Sequence, residues 1–110
     1  MVRVTLDEFL RLQKQTEKAY LIMREELKKS SIMFKQIEAY IFPDIKTTGI
    51  KGDQRVYQYP IFFAVHINNG ELFLDYEILG RISTRLTNEL EDVTRVVYMV
   101  LSTYDLTHIT

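Results

Sequence analysis

The chain has no cysteine and no tryptophan, and its 110 residues include only four glycines, two prolines and two histidines. Without Cys there is no disulfide framework, thiolate zinc site, iron–sulfur centre or cysteine nucleophile. His66 and His108 alone do not suffice for a multi-histidine metal centre. No run approaches the roughly 18 apolar residues of a membrane-spanning helix. The opening MVRVTLDEF also lacks the apolar stretch of a secretory signal. A soluble, cytoplasmic chain without cofactor or metal is expected. So little Gly and Pro leaves no linker or low-complexity tract, and residues 1–110 read as one domain.

What is present suits a packed core. Hydrophobic residues make up 46% and charged residues 26%, with seven Tyr and six Phe. The net charge of −1 conceals an asymmetry. Residues 1–55 hold eleven Lys/Arg against eight Asp/Glu, and residues 56–110 three against seven. Two halves of opposite sign attract each other within a chain or between copies. Neither reaches the density of a nucleic-acid arm.

Thr5 and Glu8 have capping-box spacing, and Asp7 with Glu8 suits the positive end of a helix. Phe9, Leu12, Thr16, Ala19, Tyr20, Met23 and Leu27 then recur at steps that place them on one helical stripe. Ser30, Phe34, Ile37 and Ile41 continue that stripe in phase, which predicts one long helix from 6 to 42, bent or broken near Ser30-Ser31. Uninterrupted, it would span about 55 Å at 1.5 Å per residue. A domain of this size has a radius of gyration of only about 13 Å. Such a helix needs a second chain to cover it, or must fold back. Pro43 ends it, and residues 44–55 read as a loop.

Asn69-Gly70 between two β-rich runs predicts a type I′ hairpin with strands at about 56–67 and 71–79. Its apolar face would carry Ile61, Phe63, Val65 and Ile67 opposite Leu72, Leu74, Tyr76 and Ile78. A C-terminal helix is expected over about 84–104, from the stripe Leu86, Leu90, Val93, Val97, Leu101 and Tyr104. The clustered valines also suit a strand from about 93 to 103. Either terminus could add a strand. The fold class is α+β.

No residue spacing announces a reaction. The sequence has no nucleophile elbow, phosphate-binding glycine loop, dinucleotide fingerprint or zinc-protease helix. One pair emerges from the predicted hairpin register: His66 diagonal to Asp75, a carboxylate able to orient an imidazole. A solvated His is the ordinary state at such a position. Lys46, Lys51 and Arg55, with Lys28, Lys29 and Lys35 behind them, form the candidate nucleic-acid contact. A pI near 6.1 argues against it.

Leu6, Leu10 and Leu21 occupy a flank separate from the main stripe, and a helix apolar on two flanks needs two partners. The expectation is a homodimer with Leu6, Phe9, Leu10, Leu12, Leu21 and Met23 at its interface. The function expected is a non-catalytic interaction protein with an unidentified protein partner: an adaptor, assembly component or inhibitor. A nucleic-acid-binding regulator using the 44–55 loop ranks second, and a small enzyme built on His66/Asp75 third.

Overall fold

The computed structural model describes residues 4–51, 54–68 and 73–100, with the backbone only at 47–51 and 54–57. The fold is α+β. Helix α1 (Leu6–Lys29) leads into strand β1 (Phe34–Tyr40), then β2 (Thr47–Lys51) and the long β3 (Gln54–Ile67). Helix α2 (Tyr76–Glu89) and strand β4 (Val93–Tyr98) complete the described elements.

The N-terminus of α1 forms as its sequence dictates. The Thr5 side chain accepts from the Glu8 amide at 3.1 Å, with Asp7 and Glu8 in the first turn and Lys28 and Lys29 in the last. The helix ends much earlier than the stripe suggests. Ser31 takes a left-handed conformation (φ 58°), its N–H bonding the Lys28 carbonyl at 3.0 Å. The Ile32 N–H bonds the Leu27 carbonyl at 2.9 Å. These two bonds and the left-handed residue make a Schellman terminus, with serine in the place glycine usually takes. The predicted 6–42 helix is therefore a helix followed by a strand. Ile37, Ala39 and Ile41 fit a strand's period of two as well as Ile37 and Ile41 fit a helix's step of four, so the continuous phase could not separate them.

Strand β3 organises the sheet. It pairs antiparallel with β1 (Ile37↔Val65, Ala39↔Phe63) and with β2 (Thr47↔Gln58, Lys51↔Gln54), and parallel with β4 (Ile61↔Val96, Phe63↔Tyr98). The 44–55 segment expected to be a loop thus contains most of a β-hairpin, joined by residues 52–53. The hairpin predicted around Asn69-Gly70 does not form as expected. The turn itself, with residues 69–72, lies outside the described residues. Its first strand exists as part of β3, but residues 76–79 of its second are helix and 73–75 are in no strand. Asp75 caps α2, its Oδ1 accepting from the Ile78 amide at 3.1 Å, and Ile78, Leu79, Ile82 and Leu86 are buried at helical spacing. The alternation at Leu74, Tyr76 and Ile78 competes with that pattern, and a glycine such as Gly80 ordinarily punctuates an element.

Gly80 instead lies mid-helix, exposed, and a Cβ built on it meets nothing within 4 Å. Gly80→Ala is expected to stabilise the fold by about 0.5–1 kcal/mol, the intrinsic helix penalty of glycine. A higher urea midpoint with unchanged slope checks it.

The predicted helix over 84–104 is also corrected. Residues 84–89 finish α2, and Val93–Tyr98 form β4; residues 101–110 lie outside the described residues. Leu90 is extended, and Asp92 is fastened to α1, accepting from Arg11 Nε at 2.9 Å and Gln15 Nε2 at 2.6 Å. The β-branched Val93 is then fully buried. A parallel pair requires a crossover, and α2 supplies it between β3 and β4.

Both helices lie on one face of the sheet. Ala19, Ile22, Met23 and Leu27 of α1 share a core with Ile78, Leu79, Ile82 and Leu86 of α2 and with Ile37, Ala39, Ile61, Phe63 and Val65 below them. Helices thus cover the Ile61/Phe63/Val65 side of β3, while Tyr76 and Ile78, expected in a strand on that same face, belong to one of those helices. Between the helices sits one buried carboxylate, Glu26, which faces Arg85 Nη1 at 3.0 Å and Arg81 Nε at 3.4 Å. No helix among the described residues is long and apolar enough to cross a membrane.

Candidate functional site

Strand alternation sends Glu38, Tyr40, Phe62, Ala64, His66, Arg95 and Val97 to the sheet face opposite the core. No helix among the described residues covers this face. Glu38 is its centre. One carboxylate oxygen accepts from the Tyr40 hydroxyl at 2.8 Å, and the other is in short contact with His66 Nε2. The bond to Glu38, with partial burial, pushes the Tyr40 hydroxyl up to about 12, so it remains a donor at neutral pH. The Tyr40 ring stacks on Phe42 with centroids 5.9 Å apart, and Phe42 meets Phe62 edge-on at 5.5 Å. Tyr40, Phe42 and Val97 are each exposed by about two-fifths. A hydrogen-bonded carboxylate–imidazole pair thus adjoins an aromatic shelf, a combination able to stack a planar group and bond its edge.

The His66/Asp75 pair is not assembled. Asp75 serves the α2 N-terminus, and the carboxylate that meets His66 belongs to Glu38, across the β1–β3 pairing. Only the sheet register makes that contact, and the predicted hairpin gave the wrong neighbour to His66.

The basic candidates are dispersed. Lys46 is engaged by Glu8 at 3.6 Å and lies over the Tyr59 ring at 5.8 Å. The Tyr59 hydroxyl donates to the same Glu8, and burial with that bond pushes it up to about 12. Lys51 and Arg55 lie in the β2–β3 hairpin, paired in backbone register with Gln54 and Ile50, and their side chains are outside the described residues. The interface candidates divide. Leu12 and Met23, at 3% and 0% exposure, belong to the core and cannot meet a partner. Leu6, Phe9, Leu10 and Leu21 are 71%, 51%, 45% and 55% exposed. Beside them a cavity of about 370 Å³ opens between α1 and β1, lined by Phe9, Thr16, Tyr20, Ala39, Ile41 and Pro43 among others.

Comparison with known families places the chain as a whole. The sequence pattern of the GMP synthase C-terminal domain matches residues 25–107, from the last turn and a half of α1 through β4. The chain belongs to that family. A glutamine-hydrolysing GMP synthase of Halothermothrix orenii is 36% identical over 91 residues, covering 77% of this chain and 18% of the relative. Those of Natranaerobius thermophilus and Nostoc punctiforme are 33% and 37% identical over 87 and 91 residues, each covered to 17% of its length. The chain therefore spans less than a fifth of the curated relatives it matches. This membership overturns the expectation of a non-catalytic adaptor, assembly component or inhibitor, and with it the nucleic-acid alternative. The relatives bear the name of an enzyme. Sequence reasoning missed this family because the matched stretch contains none of the residue spacings that announce catalysis.

Proposed function

We propose that this chain serves GMP synthesis as the C-terminal part of a glutamine-hydrolysing, cytoplasmic GMP synthase. The observation that carries the reading is the family match over residues 25–107, which includes every strand among the described residues and the whole of α2. The sheet face opposite the helices is the part we assign to the reaction, because Glu38, Tyr40 and His66 stand outside the hydrophobic core cluster. A hydrogen-bonded carboxylate and imidazole beside exposed aromatics suit recognition of a planar, hydrogen-bonding group such as a nucleotide base.

A chimera tests this. The matched portion of the Halothermothrix orenii enzyme is replaced by residues 25–107 of this chain, and glutamine hydrolysis and GMP formation are measured separately. The chimera is expected to form GMP. A folded chimera that hydrolyses glutamine but makes no GMP would refute the functional reading. Within an active chimera, His66→Ala is expected to lower GMP formation at least tenfold with glutamine hydrolysis retained. An unchanged rate would remove the assignment to the sheet face.

A further inference from the structure

The cavity of about 370 Å³ between α1 and β1 has neither Glu38 nor His66 in its walls, and its volume suits a small organic ligand. One strand edge sets its geometry. Ala39 stands opposite Phe63, whose carbonyl turns toward β4 and accepts from the Met99 amide at 2.8 Å. The Ala39 amide likewise turns away from β3 and donates to the Tyr20 hydroxyl at 3.3 Å. In an antiparallel pair that exchanges no ladder bonds, both backbone groups of a residue point off the same side, so the Ala39 carbonyl also leaves the sheet edge toward α1. The bond to Ala39 holds Tyr20 against the strand as a fixed aromatic wall, and Phe9 and Tyr40 supply two more rings. The charge at the cavity is of one sign. The Thr16 hydroxyl is spent on the Leu12 carbonyl at 2.9 Å. Glu17 stands exposed at the mouth, and among the described residues its carboxylate has no hydrogen bond or ion pair. No Lys, Arg or His among the described residues lines the cavity.

We propose that this cavity binds a small organic cation with an apolar body, a primary alkyl- or arylalkylammonium ion. The three rings offer π faces that attract a cation, and apolar side chains such as Ile41 take the hydrocarbon. An ammonium group carries three donors and no acceptor. Its surroundings are the inverse: the Glu17 carboxylate, the Ala39 carbonyl and the side-chain oxygen of Gln13. An anion of the same shape would face Glu17 with no lining cation to offset the repulsion. A neutral alcohol would gain the apolar contacts without the charge pairing or the attraction to the rings. Because Glu17 is exposed, its pairing contributes modestly, and the rings carry the larger part of the preference for a cation.

Titrating the intact 110-residue chain with three probes of one shape, followed by amide chemical shifts, tests the site. The probes are phenethylammonium, phenethyl alcohol and hydrocinnamate. Phenethylammonium should move the Ala39 and Ile41 amides saturably below about 10 mM and bind at least about tenfold more tightly than the alcohol. Hydrocinnamate should bind more weakly than either. Phe9→Leu should reduce the preference for ammonium over alcohol several-fold and leave the circular dichroism spectrum unchanged, since Phe9 is half exposed. Glu17→Gln should reduce it by about twofold to threefold. No saturable shift, equal affinity for ammonium and alcohol, tighter binding of hydrocinnamate, or a preference unchanged in both variants would each overturn the proposal. None of these results depends on GMP formation, so this site and the enzymatic reading can fail independently.

Discussion

Phe63→Ala is expected to remove about 3–5 kcal/mol of folding stability. Phe63 is 1% exposed at the middle of β3, with Ala39 beside it on one strand and Tyr98 on the other. Its ring lies 5.0 Å from that of Tyr98, and its carbonyl accepts from the Met99 amide at 2.8 Å. Removing a buried ring loses its transfer free energy and leaves a cavity between strands that cannot close, about 3–5 kcal/mol together. A chain of this length is stable by only about 5–15 kcal/mol. Urea titration of Phe63→Ala, Phe63→Leu and Phe42→Ala makes the comparison. Phe63→Leu should recover most of the loss, and Phe42→Ala, at an exposed ring on the opposite face, should cost less than about 1 kcal/mol. Equal costs at Phe63 and Phe42 would contradict the assignment of the two sheet faces.

The second large effect concerns Glu26, 1% exposed between the helices. Burial alone would push its carboxyl up, but Arg85 and Lys29 outweigh burial and hold it below the ordinary value of 4.5. Arg85 is raised in turn, chiefly by Glu89 and then, against its own burial, by Glu26 and Glu25. Glu26→Ala leaves two guanidiniums over an apolar junction and is expected to cost about 3 kcal/mol. Arg81 and Arg85 remain partly in water, which keeps the loss at the lower end for a broken buried pair. For a domain this small that is a fall in Tm of about 12 °C or more. A carboxyl whose pKa is depressed by folding contributes fully above its unfolded value and loses that contribution as pH falls through the folded one. The Tm gap between the wild-type chain and Glu26→Gln should therefore be constant from pH 6 to 8 and narrow below about pH 4.5. A gap that widens in acid would show that the charge of Glu26 opposes folding.

These two residues also mark how far a linear reading reaches. Phe63 was legible: alternation at Ile61, Phe63, Val65 and Ile67 states a strand with one buried face, and the helices do cover it. Glu26 was not, because a carboxylate within a helix reads as a solvated side chain until two arginines from residues 81 and 85 arrive beside it. The same holds for Glu38 and His66, separated by 28 residues and joined only by the β1–β3 register. The start of α1 was legible because Thr5, Asp7 and Glu8 act within one turn. Its end was not, since a serine at φ 58° carries no signature comparable to glycine, and the stripe beyond it fits two periods. The residue-93 region had both readings in view, and the parallel pairing with β3 decided for the strand.

By itself the sequence determined what could be settled between near neighbours in the chain: the α+β class, the first helix and its cap, the buried face of β3, and the absence of thiol chemistry. Tertiary structure decided where α1 stops, that residues 76–89 are helix and 93–98 strand, and which carboxylate meets His66. Each of those outcomes depends on contacts between residues far apart in sequence. Local propensity differs between helix and strand by less than about 1 kcal/mol per residue, whereas burying one large apolar side chain contributes about 1.5–3. Where the local preferences were nearly balanced, the core made the choice.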